Sequence, residues 1–147
     1  MATSFASTVI DAPADKVWAR IRDFNGLADW FPEVIATSEI EDGRAGDAVG
    51  AVRSFTLQDG THLREKLLSH SDEDRSYSYD FQRTPFDVDN YLATIRVTPV
   101  TDGNKAFVTW STTFDCDRDQ QEHWTGFFAN EIFQGGFEAL KKRMRGE

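Results

Sequence analysis

Apolar and polar residues alternate with a period of two through most of this chain, and helical spacing replaces that alternation near both ends. Residues 3–10 (TSFASTVI) read as a strand that runs into Asp11-Ala12-Pro13. Proline fits a first helical turn and Asp15 adds an acid near the positive helix end, so Val17, Trp18 and Ile21 mark a short helix ending near Asp23. A second short helix follows Asn25-Gly26, with Leu27, Trp30 and Phe31 on one side and Pro32 as its stop. Strands are then predicted at 34–41, 48–57, 61–70, 75–82, 90–100 and 105–116, punctuated by turn signals such as Asp59-Gly60 and Asp102-Gly103. Tyr77, Tyr79 and Phe81 share one face; Tyr91, Ala93, Ile95 and Val97 share another, as do Val108, Trp110, Thr112 and Phe114. Consecutive strands joined by tight turns predict an antiparallel meander.

The chain closes on a long helix from about Asp119, where Asp119 and Glu122 stand at capping-box spacing. Trp124, Phe127, Phe128, Glu131, Ile132, Leu140 and Met144 recur with a helical period and define an apolar stripe. Gly135-Gly136 in mid-helix fits either close packing of the backbone or a bend. The economical packing is an α+β one: a curved antiparallel sheet of about seven strands wraps the C-terminal helix, with two short helices after the first strand plugging one end. That leaves room for a pocket between concave sheet and helix. The 147 residues carry no repeat or low-complexity tract and read as one domain, 1–147.

Two charges break the alternation. The odd positions of 49–57 read Val, Ala, Arg, Phe, Leu, and those of 61–67 read Thr, Leu, Glu, Leu. Arg53 and Glu65 therefore each interrupt an apolar, inward row, while His62, Arg64, Lys66 and His70 fall on the solvated row. A lone buried charge is costly, so such residues are usually paired, and often functional.

Composition narrows the partners. A formal charge of −9 argues against nucleic acid, whose affinity comes from neutralising phosphates, and the basic group Lys141, Lys142, Arg143 and Arg145 closes a helix, where cations favour the dipole. The single cysteine, Cys116, forms no intramolecular disulfide and fits a reducing compartment. No apolar run approaches the ~20 residues of a bilayer span, so stable membrane insertion is not expected. The N-terminus lacks the pattern of a signal peptide, and the expected location is cytoplasmic. No cofactor or metal is expected. Asp115, Asp117 and Asp119 open like a calcium loop, but Gln120 stands where glycine is needed and Gly126 where the closing glutamate belongs; His123 has no neighbouring ligands, and no phosphate-cradling glycine pattern occurs.

Several segments also point to a family. Ile10-Asp11-Ala12-Pro13-Ala14-Asp15-Lys16-Val17-Trp18, Asp23 to Pro32 (DFNGLADWFP), Arg64 to His70 (REKLLSH) and Asn90-Tyr91-Leu92-Ala93-Thr94 resemble, in order, the polyketide cyclase/dehydrase-like branch of the START/birch-pollen-allergen superfamily (SRPBCC). The resemblance spans essentially the whole chain and implies the helix-grip fold with a hydrophobic ligand cavity. Some resemblance extends to the plant lachrymatory-factor synthase group, which uses an arginine, a glutamate and a nearby tyrosine in its cavity. By motif position these correspond to Arg53, Glu65 and Tyr91, although the hairpin between Arg53 and Glu65 is shorter here.

Arg53, Glu65 and Tyr91 are thus the candidate catalytic residues, and Arg53, Glu65, Tyr77, Tyr79, Phe81, Tyr91, Trp110, Phe128 and Ile132 the candidate ligand-binding set. Trp30 and Phe31 are placed to gate one end of a pocket or to pack on the sheet. Arg53 and Glu65 admit three readings: an ion pair orienting two strands, an anchor for a small hydrophobic or amphipathic ligand, or an acid/base with an oxyanion stabiliser. The matching functions are a carrier or sensor, a cyclase, dehydratase or isomerase, and a protein-interaction module with a filled core.

Overall fold

The computed structural model describes residues 1–147. Strand β1 (Ala2–Ile10) is followed by helix α1 (Ala14–Ile21), a 3₁₀ turn (Phe24–Gly26) and helix α2 (Leu27–Trp30). Strands β2 (Ile35–Ile40), β3 (Val52–Leu57), β4 (His62–Ser71), β5 (Ser76–Arg83), β6 (Asp89–Val100) and β7 (Lys105–Asp115) come next. All seven strands form one antiparallel sheet in the order β1-β7-β6-β5-β4-β3-β2. The meander from β2 to β7 is therefore complete, and β1 closes against β7 at the far edge.

The β3–β4 hairpin turns where the sequence signals it. Gly60 takes a φ of +90°, which L side chains rarely adopt, and the Asp59 carboxylate accepts the Thr61 N–H at 2.9 Å. β3 begins later than the alternation suggests. Residues 48–51 form a turn and Val49 is exposed, so the inner row starts at Ala51. A bulge in β4 between Leu67 and Ser69 matters more. One extra residue reverses which face the following side chains occupy: Leu68 is turned out to solvent and His70 is brought opposite Tyr77. His70, expected on the outer face, instead packs against Trp18 at 5.4 Å between ring centroids. His62, ahead of the bulge, stays on the outer face, bonded to Ser54.

The C-terminal helical run consists of a 3₁₀ turn (Arg118–Gln120), helix α3 (Gln121–Gly126), a π-helical stretch (Phe127–Gln134) and helix α4 (Gly135–Met144). The Asp119/Glu122 capping box does not form; neither the 3₁₀ turn nor α3 has a side-chain cap. The π stretch inserts a residue into the helical repeat. Buried positions run Phe128, Phe133, Phe137, Leu140, the first two five apart, while Glu131 of the expected stripe faces solvent. Gly135 and Gly136 continue with helical dihedrals, and a Cβ on Gly136 would lie 2.7 Å from Trp110 Cζ3 and 3.3 Å from Phe31 Cε2. Close packing, rather than a bend, is the glycine's role.

Thirty buried apolar residues form one core between sheet and helices. Trp110 stacks on Phe133 at 4.7 Å and contacts Trp30 at 5.9 Å, so β7, α2 and the π stretch meet at one indole. The Ser4 hydroxyl donates to the Thr125 carbonyl at 2.7 Å, pinning β1 to α3. The arrangement is the helix-grip fold: a curved sheet closed on one side by a long C-terminal helical run and at one end by α1 and α2.

Candidate functional site

Arg53 and Glu65 face each other directly across β3 and β4, and the alternation that places Phe55 and Leu63 inside places them inside too. Their exposures are 1% and 5%. Arg53 Nε donates to Glu65 Oε1 at 2.9 Å, Nη2 lies 2.7 Å from the same oxygen, and Nη1 donates to the Phe24 carbonyl at 3.0 Å. The guanidinium also lies against three rings, 3.9 Å from the Phe24 centroid, 4.9 Å from that of Tyr79 and 5.7 Å from that of Phe55. Phe24 is presented by the 3₁₀ turn after α1, which is fixed by Asp23 accepting the Asn25 N–H at 2.9 Å and by the Phe24 N–H donating to Gly46 at 2.8 Å.

The pair borders a cavity of about 40 Å³, room for a few waters. Sixteen residues line it and 14 are hydrophobic; the two exceptions are Arg53 and Glu65. Tyr91 stacks on Phe81 at 4.0 Å and leans on Phe128 at 5.0 Å. Phe86, from the β5–β6 loop, packs on Phe81 and on Phe127 and Phe128 of the π stretch. Loop and helix thus close the wall opposite the ion pair.

Burial raises the proton affinity of the Glu65 carboxyl, opposed by the charge and hydrogen bond of Arg53 and reinforced by Asp80. Burial also works against the Arg53 charge, but Glu65, Tyr77 and Tyr79 outweigh it and the guanidinium stays protonated. Burial, then the charge of Glu65, pushes the Tyr91 phenol above its usual range. Hydrogen bonding with the Thr112 and Tyr79 hydroxyls pulls the other way, while Tyr79 also accepts from Trp110 and Thr112 donates to the Leu92 carbonyl. Glu65 Oε2 has no hydrogen-bond partner in the protein, whereas the Tyr91 hydroxyl lies within reach of those two hydroxyls. Both residues line the cavity, where a carboxylate and a phenol beside a fixed cation can accept, hold or pass a proton.

The cavity gathers Arg53, Glu65, Tyr79, Phe81, Tyr91, Trp110, Phe128 and Ile132. Tyr77 is not among its walls; it lies between Trp18 and Phe24, at 6.1 and 5.7 Å, supporting the ring on which Arg53 rests. Phe31 lines the cavity, whereas Trp30 packs behind it. Sequence reasoning missed Phe55 and Leu63, although both stand on the same inward rows as the two charges. It also missed Phe86 and the Phe24 carbonyl, which lie in a loop and a turn where periodicity carries no signal. No group of three or more His, Cys, Asp or Glu side chains is placed to hold a metal ion.

An uncharacterised protein of Bacillus thuringiensis is similar to this chain at 33% identity, with a TM-score of 0.86 and coverage of 98% of this chain and 99% of that one. The protein XoxI of Bacillus cereus is 34% identical, with a TM-score of 0.85, over 97% and 95% of the two chains. Norcoclaurine synthase of Thalictrum flavum, solved with dopamine and hydroxybenzaldehyde, shares the fold at 18% identity and a TM-score of 0.78, over 99% of this chain and 87% of that one. No protein of curated function matches in sequence. The family model described as polyketide cyclase / dehydrase and lipid transport matches residues 1–145, and the chain belongs to that family.

Proposed function

We propose that residues 1–147 form one domain that binds a small hydrophobic or amphipathic molecule with a polar head group, as a carrier or sensor. The ligand's apolar body lies between the sheet and the C-terminal helix, and its head meets Arg53, Glu65 and Tyr91. One observation carries this reading: a wall hydrophobic at 14 of 16 positions whose two exceptions are an ion pair bordering open volume. Stability alone does not call for such a pair, because hydrophobic replacements of buried ion pairs are often neutral or stabilising. Lipid transport in the family's description supports a binding role, as do the small ring compounds bound to the same fold in norcoclaurine synthase. The net charge of −9 speaks against nucleic acid as a partner. The lone Cys116 supports a reducing, cytoplasmic setting. Titration of the ¹⁵N-labelled protein with toluene should give saturable shifts centred on Tyr91, Phe128 and Ile132, and Ile132→Trp, which fills the space, should abolish them. Shifts that do not saturate, or that survive the filling substitution, count against the cavity as a binding site.

A second reading has its own support. Glu65 carries a raised proton affinity and a free oxygen beside a fixed cation, which suits a cyclase, dehydratase or isomerase with Glu65 as acid/base and Arg53 as charge stabiliser. Glu65→Gln separates the two readings. Turnover that collapses while ligand affinity survives supports catalysis; unchanged turnover removes Glu65 as the base.

A further inference from the structure

We infer that the cavity selects a neutral ligand whose polar end is a single hydroxyl, donating to Glu65 Oε2 and accepting from the Tyr91 hydroxyl, and that it rejects carboxylates and other anions. The inference rests on the cavity reading above and narrows the ligand class within it.

A buried arginine in an apolar cavity invites assignment as an anion anchor, but the hydrogen-bond inventory points elsewhere. Of the five guanidinium N–H groups, that on Nε goes to Glu65 Oε1, one on Nη2 lies against the same atom at 2.7 Å and one on Nη1 goes to the Phe24 carbonyl, with the Tyr77 hydroxyl a further partner. Its flat surfaces are covered by Phe24 and Tyr79, and 1% of it is exposed. An incoming carboxylate faces two poor options. It can displace Glu65 from Arg53 and leave that carboxylate stranded in an apolar wall, or it can lie against Glu65 as a like charge. Asp80, on the strand beside Glu65, adds to the negative field there.

Glu65 presents the complementary half. Both close approaches of Arg53 fall on Oε1, and Oε2 accepts nothing from the protein. An ionised carboxylate is an acceptor only, so its open oxygen calls for a donor. Tyr91, also on the cavity wall, accepts from its neighbouring hydroxyls and so keeps its own O–H to donate. A hydroxyl satisfies both at once: its proton goes to Glu65 Oε2 and its oxygen takes the Tyr91 proton, while the rest of the molecule meets only hydrocarbon and ring faces. Ketones and esters fill one of these roles and leave the other empty. The volume of about 40 Å³ holds about the head group and its first carbons, so a ring enters as the apolar wall gives way around it.

Phenol, toluene and benzoate share one ring and differ in head group, so their binding to the intact protein at neutral pH, followed by ¹⁵N shift titration, tests the inference. Phenol should bind at least roughly tenfold tighter than toluene or benzoate, the gain expected of one hydrogen bond to a charged acceptor. Tyr91→Phe, which keeps the ring stack on Phe81, should weaken phenol several-fold and leave toluene unchanged. Glu65→Gln should raise benzoate affinity toward that of phenol. Benzoate binding as tightly as phenol, or toluene matching it, overturns the head-group selection while the cavity reading stands. If none of the three binds, both fall.

Discussion

Two arginine–carboxylate centres, each braced by aromatic rings, lie along β4, one in mid-strand and one just past its C-terminal end. The inner one, Arg53–Glu65, is held between Phe24 and Tyr79 and bonded to a single backbone carbonyl. In the outer one, Asp72 accepts from Arg22 Nε and Trp18 Nε1, each at 2.9 Å, with His70 Nε2 at 3.1 Å. The ingredients match and the electrostatics are opposite. Burial raises the proton affinity of Glu65, whereas the hydrogen bond from Arg22, then that from Trp18, lowers the proton affinity of Asp72. Solvent makes the difference: the Asp72 side chain is 57% exposed and that of Glu65 6%. The outer cluster gains hydrogen bonds without losing hydration and ties α1 to the end of β4. The inner pair loses its hydration and faces a cavity instead.

Breaking the two centres in the same way should give unequal losses. Arg53→Met leaves Glu65 buried without its cation and is expected to cost about 3–5 kcal/mol in urea unfolding at neutral pH. Arg22→Met removes a partly exposed partner and should cost at most about 1 kcal/mol. Arg53→Met/Glu65→Leu should recover most of the larger loss, because the desolvated charges go together. Equal losses for the two single substitutions would show that the inner pair is not desolvated as its burial implies.

The inner centre was legible in the sequence and the outer one was not, for a physical reason. Arg53 and Glu65 lie on short, regular stretches of β3 and β4, where period-two parity assigns the face of every residue. Tyr79, Phe81, Tyr91 and Trp110 were located by the same rule. His70 was misplaced because a bulge at Leu68 reverses parity, and nothing in Lys66-Leu67-Leu68-Ser69 announces an extra residue. The π stretch defeats the helical period in the same way, exchanging Glu131 for Phe133 and Phe137 on the buried face. Phe24 contributes to the site through a backbone carbonyl and a ring on a 3₁₀ turn, and a turn has no periodicity from which to read either. Regular repeats are legible; single-residue insertions, loops and backbone acceptors come only with the coordinates.

The two carboxyls should also bend stability against pH in opposite senses. Glu65 holds its proton more tightly when folded than unfolded. As pH rises past the ordinary glutamate range, the unfolded chain therefore releases that proton first, and stability falls until Glu65 ionises in the folded state too. Glu65→Gln should remove this downward slope. The measurement is the urea midpoint across the mildly acidic to neutral range, and parallel curves for wild type and Glu65→Gln would mean that Glu65 ionises as readily inside as out.

The smallest effect belongs to Asp72, with the reverse sign. Its folded proton affinity lies below the unfolded value, so its contribution is complete above the ordinary aspartate range and drains away as pH falls through the folded value. Asp72→Asn keeps an acceptor for Trp18 Nε1 and Arg22 but cannot change charge, so it should flatten the acid limb of the stability curve while barely moving the neutral plateau. The loss in wild type should shrink with added salt, since Arg22 and Asp72 are both reached by solvent. Salt should leave the Glu65 slope nearly untouched. A salt response of equal size at both centres would mean that water screens the inner pair as well, and the contrast between cavity and surface would be lost.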